Sequence, residues 1–572
     1  MNAASLRCAR LVCAGRLALL ALAAGCAAAG AGDGEPGEQP ASPFPRSRAN
    51  EWVTLSDFRY VTSVAVSQSM AFLGTTAGVE RLDTLRDRWL APVTEADGLP
   101  DDRVTALVAE PSSGDLWIGT VRGLARLVGF VDVVEPVFGP PPIRVDRLLV
   151  DPRNGTVWAE VGGLWWQGPN GSPVLERSGS RPPFERLVGS APVDEVDPAR
   201  LPWLDPLWVD SPLVFGARYR LTVLDRDRRG DWYVGTWGDN GRRWASATQA
   251  WEPLYFGLSG TGGPIAATER GYWFTPGSSA VRGTGADASL APDRIRIGLS
   301  VGSPAPGAVA RASRDLTGWT YAVPLETEGL PSAASHAALA AGDTVWLATD
   351  YGVVRGAPGG WERWGPGDPA PGATRALALE PGRLWVAGDD GVAALDRRDG
   401  SRLAHFLAGR RVVALAITPE AVYAGTSEGL FAGRRQAEPD GAPGLPTEIE
   451  RVEPRGASIR ALAATDTLLV VGTGSGIEVY DRRAGEWTVT RAGEGRLTRP
   501  PLALAVDPEG QVWIGTEAGL SRWRPGTGEW DEWTVADGLA GTPVLHLLAE
   551  DGVVWASTPA GVSRFAWREA GR

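Results

Sequence analysis

Apolar residues occupy both faces of the short strands that run through this chain. In QVWIGTEAGLSRW, from Gln511 to Trp523, Val512 and Ile514 point to one face of a strand and Trp513 to the other. A strand with two apolar faces needs a covering layer on each side, so it belongs inside a stack of sheets. Gly515 and Gly519 bracket the short turn that a tight antiparallel return requires, and LSRW then reads as the returning strand. Shorter apolar strands stand upstream, as in RVTALVAEP from Arg103 and PLALAVDPEG from Pro501. Another begins near a downstream Trp, as in EWDEWTVADGL. The unit is therefore four short antiparallel strands buried on both faces, which describes a propeller blade. β-Branched and aromatic residues at period two, with no long helical stretch, exclude a helical solenoid.

The phrase recurs. DLWIGTVRGLARL starts at Asp115, MAFLGTTAGVERLD at Met70, TVWAEVGGLWW at Thr156 and DWYVGTWGDNGRRW at Asp231. YWFTPGSSAVRG follows from Tyr272, TVWLATDYGVVRG from Thr344, RLWVAGDDGVAALD from Arg383 and AVYAGTSEGLFAG from Ala421. LLVVGTGSGIEVYD from Leu468 and VVWASTPAGVSRF from Val553 complete the set. A spacing of roughly forty residues is typical of propeller blades. The expected fold is all-β, tandem β-propellers of four-stranded antiparallel blades in two rings of six or seven. The first would span 51–310, with an insertion near 185–215, and the second 311–572. The last copy lacks a downstream partner strand, and EWVTLSDF from Glu51 begins with what resembles it, so the segment near 51–56 is expected to complete the final blade.

The pattern W-[IVL]-G-T-x-x-G-[LV]-x-R, with ADGLPDDRVTAL from Ala96, TEGLPSAASHAAL from Thr327 and ADGLAGTPVLHLL from Ala536, resembles the two-component regulator propeller repeat. In that family the repeat builds the periplasmic ligand-sensing half of hybrid sensor kinases, usually as two tandem propellers. The resemblance covers most of the chain from Glu51, with its weakest copies between Leu164 and Asp343. It implies a sensor half without a kinase, since the three histidines (His336, His405, His546) all lie within or near blade-like strands.

The first residues follow a different rule. Arg7, Arg10 and Arg16 precede the apolar run LALLALAAGC, which has the shape of a secretory signal and is too short for a comfortable membrane span. LAAGC resembles the bacterial lipoprotein signal, with cleavage after residue 25 and acylation of Cys26, although Ala23 stands where that family usually has Leu. Cys8 and Cys13 would leave with the signal, so no internal disulfide would remain. Residues 26–50, rich in Gly, Pro and Ala, read as a disordered tether. Ala27, in place of an Asp after the cysteine, implies the outer membrane by the same resemblance. The formal net charge of −12 supplies no basic surplus to neutralise phosphates and argues against nucleic acid.

Candidate chemistry is sparse. Three scattered histidines offer no metal cluster, and no nucleophile elbow or phosphate loop is present, so neither cofactor nor metal is expected. Asp389 and Asp390 form a carboxylate pair, but they fill a turn where Asp is favoured for its geometry. The repeat tryptophans Trp117, Trp158, Trp346, Trp385, Trp513 and Trp555 are expected to fill the wedge between sheets. The variable turns are expected to form a binding rim: Arg122, Trp237, Asp239, Asp350, Tyr351, Asp389, Asp390, Glu428 and Glu517. Such a rim suits a protein or glycan partner at the cell envelope, and the chain is read as a non-enzymatic, lipid-anchored binder or scaffold. A detached sensor for a separate kinase and a propeller-based carbohydrate hydrolase or lyase are the alternatives.

Overall fold

The computed structural model describes residues 51–568, apart from 112, 170, 190, 193–217, 278–295, 299–307, 323–333, 358–359, 365–372, 439–441, 456 and 494–496. The signal, Cys26, the tether and most of the 185–215 insertion therefore lie outside the described residues. Among those described, no α-helix occurs, and no helix is long and apolar enough to cross a membrane. The described residues form eleven antiparallel sheets. In chain order their main strands lie within 61–93, 104–136, 145–177, 218–254, 262–276 with 309–322, 335–364, 374–406, 412–455, 459–491, 501–533 and 546–565.

Each letter of the repeated phrase has a local reason. Trp513 and Trp117 are fully buried, and the Arg of the phrase pairs directly across from each in the register, as Arg522 and Arg126. The guanidinium of Arg522 sits 5.3 Å from the Trp513 ring, a contact worth about 0.5–1 kcal/mol. The Thr hydroxyl seals the turn: Thr516 Oγ1 donates to the Gly519 carbonyl (3.1 Å) and accepts from the Ala518 N–H. Gly519 has φ +152°, and a Cβ there would meet the Trp533 carbonyl at 2.3 Å. A Cβ on Gly515 would lie 2.6 Å from the Val544 side chain, just ahead of the next sheet, so this glycine admits the neighbouring segment. The DGL phrase makes a 3₁₀ turn: Asp97 accepts from the Thr94 N–H (2.9 Å), and Asp537 does the same for Thr534 (2.9 Å).

Neighbouring first strands pack side by side in two closed successions. Gly262–Thr268, Ser335–Ala341, Thr374–Glu380, Val412–Ile417, Ile459–Ala464, Pro501–Val506 and His546–Glu550 follow one another, and the last packs back on the first. That is a circle of seven sheets. Val61–Val66 packs on Val104–Ala109, and that strand on Val145–Val150. Val150 then bridges Val188, the adjacent Ala191–Pro192 pairs with Arg218–Arg226, and Arg218–Arg226 returns to Val61–Val66. Among the described residues this circle holds four sheets, against the six or seven expected of each ring. At its closure Gly235 receives Val61, 2.6 Å from where a Cβ would stand, as Gly515 receives Val544. Asp225 Oδ2 also accepts the Val66 N–H across that seam (2.9 Å).

The chain enters the large circle before it builds the small one. Trp52–Leu55 pairs with Gly561–Phe565, and Trp52 stacks on Phe565 with ring centroids 4.3 Å apart. The small circle thus hangs between two linkers, 56–60 and 255–261, and a boundary at 310 falls inside the strand Val309–Ser313. That strand also departs from the sequence reading. It pairs with Gly271–Pro276, so that strand takes a partner some thirty residues further along the chain, while the SSAVRG of the repeated phrase lies outside the described residues. Phe58 and Phe256, one from each linker, meet at 5.6 Å in a core shared with Trp89, Phe274 and Trp555. Beside them the fully buried Glu80 accepts from Asn240 Nδ2 (3.0 Å) through one oxygen, while its other oxygen has no partner.

Two outcomes test this account. Trp52→Ala removes a buried, stacked ring and should cost about 3–5 kcal/mol, read as a lower thermal midpoint by circular dichroism; an unchanged midpoint would show that the edge needs no cover. For Glu80, burial outweighs the Asn240 bond and, with Asp57 nearby, pushes the carboxyl well above its ordinary range. A carboxyl raised on folding contributes stability below its unfolded pKa and loses it as pH rises, so Glu80→Gln should raise the midpoint at pH 8 more than at pH 4.

Candidate functional site

Pairing between the first two strands of most sheets skips one residue near the start, a bulge that recurs around both circles. In the first two sheets the skipped residue is a threonine that ties sheet to sheet. Thr62 donates to the Val104 carbonyl (2.7 Å) and Thr105 to the Val145 carbonyl (2.6 Å). In the large circle the same slot carries His336 and Arg375, and there it meets the hairpin turns.

Those turns hold several of the residues picked from the sequence. His336 Nε2 lies 2.7 Å from Asp350 Oδ1 and 2.7 Å from the Arg375 guanidinium; one nitrogen can donate to the first or accept from the second, not both at once. Arg375 also reaches Asp350 at 3.4 Å and Asp389 at 3.7 Å, and Arg411 reaches Asp389 at 3.4 Å. Asp390 turns elsewhere. Its carboxylate accepts the Gly409 N–H (2.7 Å), and its carbonyl faces His405 Nε2 at 2.6 Å, which must then carry the proton. Glu428 pairs with Arg410. Asp350, Asp389, Asp390 and Glu428 are each about half exposed, so a band of alternating charge follows the turns of three adjacent sheets. Tyr351 and Glu517 stand exposed on turns of the same kind.

The electrostatics favour ion pairing over proton transfer. The hydrogen bond from His336, its charge and that of Arg375 hold the Asp350 carboxyl below its usual range. His546 is pushed down to about 4 by burial and by the neighbouring His336, so it stays neutral. Asp389 and Asp390 face different partners and do not converge on a common point where a substrate bond would be cleaved.

Three predicted rim residues lie elsewhere. Asp239 is fully buried, held by Arg242 at 2.6 Å, and is not a rim residue. Its turn docks the first linker instead. The N–H groups of Gly238 and Asn240 donate to the Arg59 carbonyl, and Trp237 packs edge-on against Tyr60 at 5.2 Å. Arg122 bridges Asp101 (2.6 Å) and Glu95 (2.9 Å) beside a cavity at the junction of the two circles. The sequence reading missed His336, Arg375, Arg410 and Arg411. For His336 and Arg375 the signal is a polar residue just before an Ala-rich strand, as in TRALAL, legible only once the bulge is known; Arg410 and Arg411 lie in the loop ahead of their strand, whose bulged residue is Val413.

No family model and no curated protein matches the chain. Solved structures do. The extracellular domain assigned to the hybrid two-component system BT3049 of B. thetaiotaomicron is similar at 14% identity and a TM-score of 0.41, over 88% of this chain and 61% of that one. PorZ, an essential bacterial surface component of the type-IX secretion system of Porphyromonas gingivalis, is similar at 11% identity and a TM-score of 0.49, over 90% and 87%. Virginiamycin B lyase from Staphylococcus aureus is similar at 12% identity and a TM-score of 0.37, over 54% and 95%. The chain spans about 61% of the length of the BT3049 domain. These are likenesses of fold.

The charge network makes its own prediction. In His336→Ala the Asp350 carboxyl should titrate higher than in the parent protein, followed by carboxyl carbon resonances assigned through Asp350→Asn. An unmoved titration would place His336 outside the network.

Proposed function

We propose that this chain is an exported recognition scaffold without catalytic activity, held at the cell envelope by lipid on Cys26, whose charged hairpin rim binds a protein partner. The observation that supports this reading is the band of paired charges across the sixth to eighth sheets. Arg375 and Arg411 share Asp389, Arg375 also reaches Asp350, and Arg410 holds Glu428. Exposed pairs of this kind contribute little to folding, with a median of about 0–1 kcal/mol, so their arrangement is free to serve a partner. Alternating signs on a rigid frame select a complementary surface and penalise like charge. Asp389 and Glu428 are taken up by arginines and Asp390 by the Gly409 N–H, so no two of these carboxylates face one point, which disfavours the hydrolase alternative.

Charge reversal tests the reading. Asp389→Arg with Arg411→Glu keeps one pair but inverts its direction, so the thermal midpoint should hold. Partners captured by surface crosslinking of intact cells, and identified by mass spectrometry, should be lost from the variant. The same partners captured by the variant at equal yield would remove the rim from the function.

A further inference from the structure

Where the two circles meet, the first linker and the hairpins of the first, second and eleventh sheets enclose a cavity of about 460 Å³. That volume lies within the range of small-ligand sites. Most of its polar groups are already matched. Asp57 holds Arg59 at 2.6 Å, and Asp101 holds Arg103 at 3.0 Å and Arg122 at 2.6 Å. Glu95 takes the second bond of Arg122 at 2.9 Å. The hydroxyls of Ser56 and Thr261 donate to the carbonyls of Ala560 and Pro559, at 2.7 and 2.6 Å.

Two lining groups remain. Asp102 Oδ1 accepts the Glu95 N–H at 2.6 Å, while Oδ2 has no hydrogen bond or ion pair among the described residues. Thr76 is 6% exposed, and its hydroxyl has no partner. The buried Thr76 hydroxyl, left unmatched, costs free energy that an occupant can recover, and the partly exposed Asp102 lines the cavity beside it. An anion is excluded, because Glu95, Asp101 and Asp97 surround Asp102 and both lining arginines are bridged. A metal ion is disfavoured too, since no group of three His, Cys, Asp or Glu that could hold one occurs among the described residues. What both free groups accept is an N–H.

We propose that this junction cavity binds a small organic ammonium ion, whose N–H groups donate to Asp102 Oδ2 and Thr76 Oγ1. The exchange balances: the ammonium brings one positive charge in, Asp102 gives its proton to solvent, and a carboxylate–ammonium pair remains. Burial first, and then Glu95, Asp101 and Asp97, raise the Asp102 carboxyl to about 8 against the Glu95 N–H bond, so at neutral pH that proton is there to be displaced. Thr76 and Asp102 belong to the small circle, while Thr261, Pro559 and Ala560 belong to the large one and its linker, so an occupant pins the two together. The inference does not rest on the charged rim.

Titration calorimetry on the full chain tests it, with ethylammonium and putrescine as probes and tetramethylammonium, which has no N–H, as the control. In two buffers of different ionisation heat at pH 7, binding should release about one proton per ammonium. Affinity should be about eightfold higher at pH 8.5 than at pH 7, as Asp102 loses its own proton. Asp102→Asn should weaken binding at least about tenfold and abolish the release, and Thr76→Val should weaken it severalfold. Reversal at Asp389 and Arg411 should leave it unchanged, which separates this site from the rim. Failure of both probes to bind, binding without proton release, equal binding of tetramethylammonium, or unaltered binding by Asp102→Asn would each overturn the proposal. Because proton release is read on the parent protein, a misfolded variant does not rescue it.

Discussion

Everything in this molecule depends on how closely one sheet lets the next approach. The glycine in the second strand of a sheet leaves room for its neighbour, at 2.7 Å for Gly119 against Val145 of the next first strand and 2.6 Å for Gly515 against Val544 just ahead of one. On the other side the Trp of the same strand fills the wedge between sheets. Each sheet is thereby apolar on both faces, and neither face can be left open. Only a closed succession gives every sheet two neighbours. Gly235 against Val61 shows the same contact used to close a circle, between sheets far apart in sequence.

Closure also decides how the two circles are joined. Because the strand Trp52–Leu55 is built into the large circle before the small one begins, the small circle is attached at both ends. The linkers then pack on each other, with the Leu258 N–H donating to the Ser56 carbonyl, and the second is also held by the small circle, whose Asn240 Nδ2 donates to the Phe256 carbonyl (3.2 Å). A single flexible connection would let the circles swing. Two connections with a shared aromatic core hold the hairpins of both against one cavity. This is why a buried polar cluster stands at the junction, where backbone groups of two irregular linkers all need partners.

The repeat was legible because each of its letters answers to something within a few residues: a turn sealed by its own Thr hydroxyl, a cross-strand Arg over a Trp, an Asp that caps its own 3₁₀ turn. Long-range pairing was not. Nothing local says that Gly271–Pro276 finds its partner at Val309, or that Val61 seats against Gly235 after four sheets. The candidate site divides along the same line. Asp350, Asp389 and Glu428 were legible as turn residues, whereas their partners His336, Arg375 and Arg410 come from other strands and loops. Asp239 misled because a turn lengthened to dock a linker has the same composition as one that faces solvent.

The bulged slot shows how one frame serves structure and recognition. A residue dropped from the ladder loses its cross-strand pairing, and its side chain is released from the constraint of fitting between two sheets. In the small circle Thr62 and Thr105 use that freedom to bond the neighbouring sheet, which helps to stiffen four sheets. In the large circle seven sheets already close on apolar contacts, and the slot holds His336 and Arg375, whose charges reach out to the turns. Polar groups can occupy this position because the ladder does not need it. Binding specificity can then be rewritten there, one residue per sheet, without touching the Trp–Gly contact that keeps the circle shut.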